Sequence, residues 1–417
     1  MRGRSVRRGA AAIAAIVAFG VALSGCASDP EVAQLPEQVS GDLPADVTDQ
    51  IDAAVNTAMQ ASGSTGAIVG VWAPWSGTYV AGLGTTEPGG EGEAVTADMS
   101  FRIGTVTRAM TCDVLYGLAD DGKLSVDDSV TEYVSSVASL EDVTLKQLCD
   151  STSGLGNSSK SFISNFLNTP EREWDARGLA SRGIVDRKGE AGAGYRSSDA
   201  GYLLLGEALR KASGRSVPEL IEQYVALPDG LDHTRLPSSA AAVPASNYLP
   251  GYRSDGDVSK SCAAPTDYSK SSSSIGYTDS GVVSTIEDLG RYGQLLALTQ
   301  ADDSQERFAT PFPVGDATWY QYAGGAYLAG TMVGQTGSTL GYTTSVWSDP
   351  ESGLTVSVVM NNSRSDTFVG RLGRQLAAIA AQAPAAEGQT QPEIGLPWSA
   401  DDYSKQIVKA AICPIEE

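Results

Sequence analysis

Phe101-Arg-Ile-Gly-Thr-Val-Thr-Arg-Ala-Met110, followed by an apolar run to Leu118, is the stretch on which the reading of this chain turns. An apolar entry and a glycine turn lead into Thr105 and Arg108, three residues apart. That spacing puts both polar side chains on one face of a first helical turn. The periodicity predicts a helix from about Thr105 to Asp120, terminated at Asp121-Gly122. A hydroxyl beside a basic side chain at a helix start is an arrangement that nucleophilic active sites use, provided the base can take a proton.

Outward from this helix, the N-terminal side reads as one helix over Asp46–Ala61, with Val47, Ile51, Val55 and Met59 at helical spacing. A β-hairpin follows, from Gly66–Trp72 and Gly77–Ala81 around a Pro-Trp-Ser turn. On the C-terminal side, Leu140–Leu148 is a short helical segment. From about 155 to 298 the pattern is mainly helical, with long Ser/Gly-rich connections. Strands return at Gly324–Gly330, Gly341–Trp347 and Leu354–Met360, and Thr367–Ala381 is a helix with an apolar stripe. The order predicts an α/β (α+β) sandwich. An antiparallel sheet is assembled from both chain ends with flanking helices, and a mostly helical subdomain is inserted between. The cleft between sheet and insert has the Thr105 helix at its floor.

The bulk composition narrows the function. In 417 residues, 29 Lys+Arg oppose 50 Asp+Glu, a formal charge of −21. Such a surface excludes nucleic acid as a partner and repels anionic lipid headgroups. Residues 1–25 read as a targeting segment, with Arg2, Arg4, Arg7 and Arg8 before an apolar run from Ala10 to Leu23. Leu23-Ser-Gly-Cys26 resembles the lipobox of bacterial lipoproteins, which implies cleavage before Cys26 and lipid anchoring at that residue. Membrane attachment on the extracytoplasmic face is therefore expected through lipid alone. Residues 26–45, with Pro30, Pro36 and Pro44, read as a tether. Residues 46–382 then form the domain, and 383–417 a C-terminal extension.

With Cys26 spent on lipid, Cys112, Cys149, Cys262 and Cys413 remain, an even number for an oxidising compartment. Of the three possible pairings, Cys112–Cys149 with Cys262–Cys413 is favoured, because the first two lie in segments expected to pack together. Four buried thiols are the alternative. Without a Cys-x-x-Cys and with a single histidine, no metal site is expected, and no cofactor.

Four segments resemble successive landmarks of the serine β-lactamase-related, penicillin-binding family, in its class C β-lactamase and D-alanyl-D-alanine carboxypeptidase branch. They are Phe101–Arg108, Asp121–Val130, Leu145–Leu148 and Ser151-Thr-Ser-Gly-Leu155. Tyr195–Gly206 resembles that family's second motif region and Gly334–Tyr342 its third. The resemblance runs from about 46 to 382 and implies a β-lactamase/transpeptidase-like fold. It also implies a site in which a serine attacks a carbonyl and a lysine three residues on helps take its proton. A Tyr-x-Asn motif shares the proton traffic, and a Lys/His-Thr-Gly strand binds the substrate carboxylate.

On that pattern the nucleophile position holds Thr105, whose β-methyl restricts χ1 and crowds the line of attack. The base position holds Arg108, a cation that does not deprotonate. Ser197 stands at the tyrosine and Asp199 at the asparagine. Gln335 replaces the Lys/His, ahead of intact Thr336 and Gly337. Displaced copies are absent: no lysine has a serine three residues before it, no asparagine has Tyr or Ser two before it, and neither Lys-Thr-Gly nor His-Thr-Gly occurs. Asp199 is expected to face Arg108 as a charge-assisted pair across the cleft floor.

The remaining candidates have plainer readings. His233 is the sole histidine, lies in a loop and lacks a Gly-x-Ser-x-Gly partner, so it reads as a surface residue. Trp319, Tyr320 and Tyr322 read as packing residues at the sheet edge. Asp401–Ile412 reads as a short amphipathic helix leading to Cys413. Two functions follow. One is a lipid-anchored pseudoenzyme that binds a cell-wall peptide or an envelope protein. The other is a hydrolase of the D,D-carboxypeptidase, β-lactamase or esterase type that uses Thr105 as nucleophile.

Overall fold

The structure, a computed structural model, describes residues 35–238, 243–254, 262–302, 306–364 and 366–415. The targeting segment and Cys26 lie outside the described residues.

The hairpin strands β1 (Gly66–Ala73) and β2 (Gly77–Gly84) join six strands from the far end of the sequence. These are β3 (Phe312–Pro313), β4 (Tyr320–Ala323), β5 (Ala326–Ala329), β6 (Met332–Thr339), β7 (Tyr342–Ser348) and β8 (Thr355–Met360). The sheet is antiparallel throughout, in the order β2-β1-β8-β7-β6-β5-β4-β3. Pairing of Ala67 with Met360 and of Trp72 with Thr355 closes the two chain ends into one sheet, as the sequence predicts.

Two-residue alternation divides the strands between two cores. Ala67, Val69 and Val71 of β1, with Val356, Val358 and Met360 of β8, pack under α1 (Ala45–Ser62) and α5 (Asp366–Ala380). Ile68, Val346 and Val359 face the opposite way. They join a larger core with α2 (Thr107–Asp120), α3 (Asp199–Ser213) and α4 (Ile286–Ala301). Local chemistry fixes the helix ends. Ser198 caps α3 by accepting the Gly201 amide at 3.0 Å, and Gly214 ends that helix at φ 71°.

Three expectations needed revision. Periodicity does not reveal the strand carrying Gln335 (β6), because its polar and glycine-rich run Met332–Thr339 lacks an alternating apolar pattern. The Thr105 helix begins instead as a 3₁₀ turn over Gly104–Val106, with regular α-helix only from Thr107. Part of the stretch read as a tether, residues 38–43, is packed on the domain. From Gln38 onward the chain docks on the β1–β2 hairpin, Leu43 is buried, and Leu43 N–H donates to the Thr78 carbonyl at 3.1 Å.

Both favoured disulfides are present, Cys112–Cys149 and Cys262–Cys413, with Cα separations of 5.7 and 5.8 Å. The second fastens the C-terminal extension. Its helix α6 (Ala400–Lys409) buries Tyr403 and Ile407, and Ile412 and Cys413 amides donate to the Ala61 carbonyl at the end of α1. Among the described residues no helix is long and apolar enough to cross a membrane.

Candidate active site

The turn at Gly104 is pressed against β6 so closely that only glycine fits on either side. Gly104 has φ 57°, and a Cβ there would lie 2.5 Å from the Ser338 nitrogen. A Cβ on Gly337 would lie 2.1 Å from the Ile103 carbonyl oxygen. Glycines at both positions therefore set Thr105 directly against the strand. All the residues singled out by motif position (Thr105, Arg108, Ser197, Asp199, Gln335, Thr336 and Gly337) line one cavity of about 340 Å³.

Within the cavity the side chains of Thr105, Arg108, Ser197, Asp199 and Gln335 already have partners. Thr105 Oγ1 donates to the Thr336 carbonyl at 2.8 Å, so the hydroxyl proton points at backbone and not at a titratable group. Thr336 N–H donates to the adjacent Gln335 Oε1 at 2.9 Å. Both Thr336 groups thus face away from β7, and strand alternation turns the Ser338 amide the same way, toward the Gly104 turn. Gln335 is buried, and its Nε2 donates to the Gly325 carbonyl at 2.7 Å and more weakly to the Tyr322 hydroxyl at 3.4 Å. Its amide is a fixed element of the wall.

Arg108 is buried at the cavity floor, and the expected pair with Asp199 does not form. Arg108 Nε and Nη2 each lie 2.8 Å from Asp279 Oδ1, and Nη1 donates to Ser197 Oγ at 2.9 Å. The guanidinium carbon stands 4.9 Å from the centre of the Tyr202 ring. Burial works against the cation, but the Asp279 carboxylate and the surrounding phenols outweigh it and hold the Arg108 pKa well above its usual value. Arg108 therefore stays a fully committed cation.

Asp199 has a different task. Its two carboxylate oxygens accept the backbone amides of Ser158 and Ser159, both at 2.7 Å, while its own amide donates to Asn157 Oδ1 at 2.9 Å. Ser159 opens the helix Ser159–Asn168, so Asp199 caps a neighbouring helix across the cavity. An acid meets those orphan amides with charge-assisted bonds, a physical reason for aspartate at this position.

Sequence reasoning missed Asp279. It lies in the four-residue helix Tyr277–Ser280, where no spacing or motif singles it out. The one available signal was electrostatic: an arginine on the buried face of a core helix requires an acid from elsewhere in the chain. His233 is exposed, and only its backbone amide is engaged, donating to Asp288 Oδ2 at 2.8 Å. It does not line the cavity. Trp319 and Tyr320 pack at the sheet edge, Tyr322 is fully buried, and the aromatic residues that line the cavity are Phe166 and Tyr327. Among the described residues no cluster of His, Cys, Asp and Glu could hold a metal ion.

A hydroxyl turned to backbone, an arginine that cannot give up its proton and a buried amide leave little means of moving protons. The cavity of about 340 Å³ that these residues line remains as space for a ligand.

Comparison with known proteins agrees with this architecture. A family model described as Beta-lactamase matches residues 51–381. Over 145 residues the chain is 28% identical to Penicillin-binding protein 4* of Bacillus subtilis (strain 168), a match covering 33% of this chain and 30% of that protein. The chain thus spans less than a third of that relative's length. A D-stereospecific amidohydrolase from Streptomyces sp. superposes with a TM-score of 0.66 at 20% identity, covering 77% of this chain and 98% of that one. The octameric penicillin-binding protein homologue from Pyrococcus abyssi does so with a TM-score of 0.67 at 20% identity, covering 82% and 79%. At such identities the structural likeness speaks for the fold alone.

Proposed function

This chain belongs to the β-lactamase family, and on that premise we propose that it is a catalytically degenerate binding protein of the cell envelope, anchored by lipid at Cys26. The observation that carries the reading is the commitment of Arg108. The cation three residues beyond Thr105 is held by Asp279 and Ser197, so the side chain at the base position cannot take the hydroxyl proton. Gln335 adds to this, since a neutral amide bound to Gly325 supplies neither a proton nor cationic attraction.

The names of two relatives, a penicillin-binding protein and a D-alanyl-D-alanine-carboxypeptidase/endopeptidase, support a peptide ligand class for this reading. A cell-wall peptide is the natural occupant of such a cavity, with an envelope protein as the other partner class. Titration calorimetry with a soluble peptide ending in D-alanyl-D-alanine tests this reading. Saturable binding with the peptide recovered intact supports it, whereas release of D-alanine would establish a hydrolase. One observation favours that second reading: Thr105 stands on the cavity wall beside the Gly104 turn, where a bound carbonyl could approach its hydroxyl.

A further inference from the structure

Part of the cavity lining lies outside the motif positions. It comes from the helix Ser159–Asn168, the helix Ala176–Val185 and Ile275. Lys160, Ile163 and Phe166 follow one another at intervals of three along the first of these helices. One side of that helix therefore presents an ammonium, an aliphatic and an aromatic side chain to the cavity. Phe166, Leu179 and Leu203 are buried members of the larger core that also line this part of the wall. Ile163 differs from them. It is a large apolar side chain left 37% exposed, and it lies on the cavity wall.

Most of the charges on the lining are already committed. Asp279 is bound to Arg108, and Asp199 accepts the Ser158 and Ser159 amides, so the start of that helix has no need of a further anion. Arg253 donates through Nη1 to the Ser363 carbonyl at 3.0 Å. Gln335 contributes no charge. Lys160 is exposed and has no ion-pair partner among the described residues, which leaves its ammonium available to an anion in the cavity.

We propose that this wall selects the ligand: a small acylated amino acid or peptide terminus whose free carboxylate meets Lys160 and whose apolar side chain lies against Ile163 and Phe166. The proposal rests on the binding reading given above and names the chemistry of its ligand. Charge and apolar surface three residues apart on one helix set the spacing of the two groups. A cavity of about 340 Å³ holds a ligand of this size. Neither contact alone suffices, because a half-exposed ion pair contributes little and a single apolar group carries no orientation.

Calorimetric titration of the full chain with three probes tests this: racemic N-acetylphenylalanine, its racemic carboxamide and N-acetylglycine. The acid is expected to bind with a dissociation constant of about 1 mM or below. The carboxamide should bind about fivefold more weakly, the scale of one exposed ion pair. N-acetylglycine should bind at least about tenfold more weakly, through lost apolar burial. K160Q should reduce the affinity for the acid to that for the carboxamide and leave the carboxamide unaffected, a split that a merely structural role does not produce. I163S should weaken both phenylalanyl probes alike. Both positions are exposed, so both variants are expected to fold. Equal affinity for acid and carboxamide, N-acetylglycine binding as tightly as N-acetylphenylalanine, or equal loss of acid and carboxamide in K160Q overturns the proposal. So does the absence of binding by every probe up to about 10 mM. If these differences hold while the D-alanyl-D-alanine peptide fails to bind, the cell-wall assignment falls and the ligand chemistry stands.

Discussion

Arg108 and Asp279 come from segments 171 residues apart and meet with Nε 2.8 Å from Oδ1, both side chains buried. The pair occupies the floor of the cavity, where a reversible proton carrier would be needed for acyl transfer. A buried ion pair contributes little net stability, because desolvation of both ions offsets their attraction. Its consequence here is fixation: Asp279 helps hold Arg108 as a cation, and the pair locks both side chains in one position.

Removing one partner is therefore costly. D279A strands a buried guanidinium and is expected to lower unfolding stability by about 3–5 kcal/mol. The paired change R108M/D279L should recover most of that loss. Denaturant melts of the three proteins check this, and a D279A protein within about 0.5 kcal/mol of wild type would contradict the assigned pairing.

Asp199 acts on a helix end, so its removal should be felt there. D199A is expected to cost about 1–2 kcal/mol, the range of a lost helix cap. Hydrogen exchange should accelerate at the amides of residues 158–168. Unchanged exchange in that segment would argue against capping.

The Asp229 carboxyl supplies a pH signature. Burial, then the nearby Asp113 carboxylate, raises its pKa to about 7, against the pull of Arg291 and Arg307. A raised carboxyl pKa means that the folded state binds its proton more tightly than the unfolded chain does. Stability from this group is complete below the unfolded value near 4 and declines as pH rises to about 7. D229N should match wild type near pH 4 and melt at higher temperature than wild type at pH 8. Identical melting differences at both pH values would refute the assignment.

The Cys262–Cys413 bridge closes a separation of 151 residues and fastens the extension. C262S/C413S is expected to lose about 2–4 kcal/mol. Protease cleavage between Ala383 and Ser399 should accelerate, while Trp398, bonded through Nε1 to the Arg374 carbonyl, slows full release. Unaltered cleavage would show that the packing of α6 suffices.

Much of the fold was legible because it depends on periodicity. The hairpin, the last two strands and the flanking helices alternate or repeat as a two-sided sheet under helices requires. Strand β6 escaped because Gly334 and Gly337 exist for close approach to neighbours, an argument that only the folded chain displays. In the site, the motif positions converge on one cavity, yet the partners of Arg108 and Asp199 were misassigned. Two charge changes near each other suggested a single pair. The fold separates them, giving Arg108 to Asp279 and Asp199 to the Ser158 and Ser159 amides. Pairing across 171 residues leaves no local trace in sequence.

The central claim is that Thr105 no longer forms an acyl-enzyme. Intact mass spectrometry of the oxidised protein, incubated separately with a penicillin and with a fluorophosphonate, tests it most directly. The account predicts an unchanged mass for the wild type and for T105S, since serine at 105 still lacks a base while Arg108 is held by Asp279. A mass increase of one acyl or phosphonyl group in the wild type, mapped to Thr105, would contradict it.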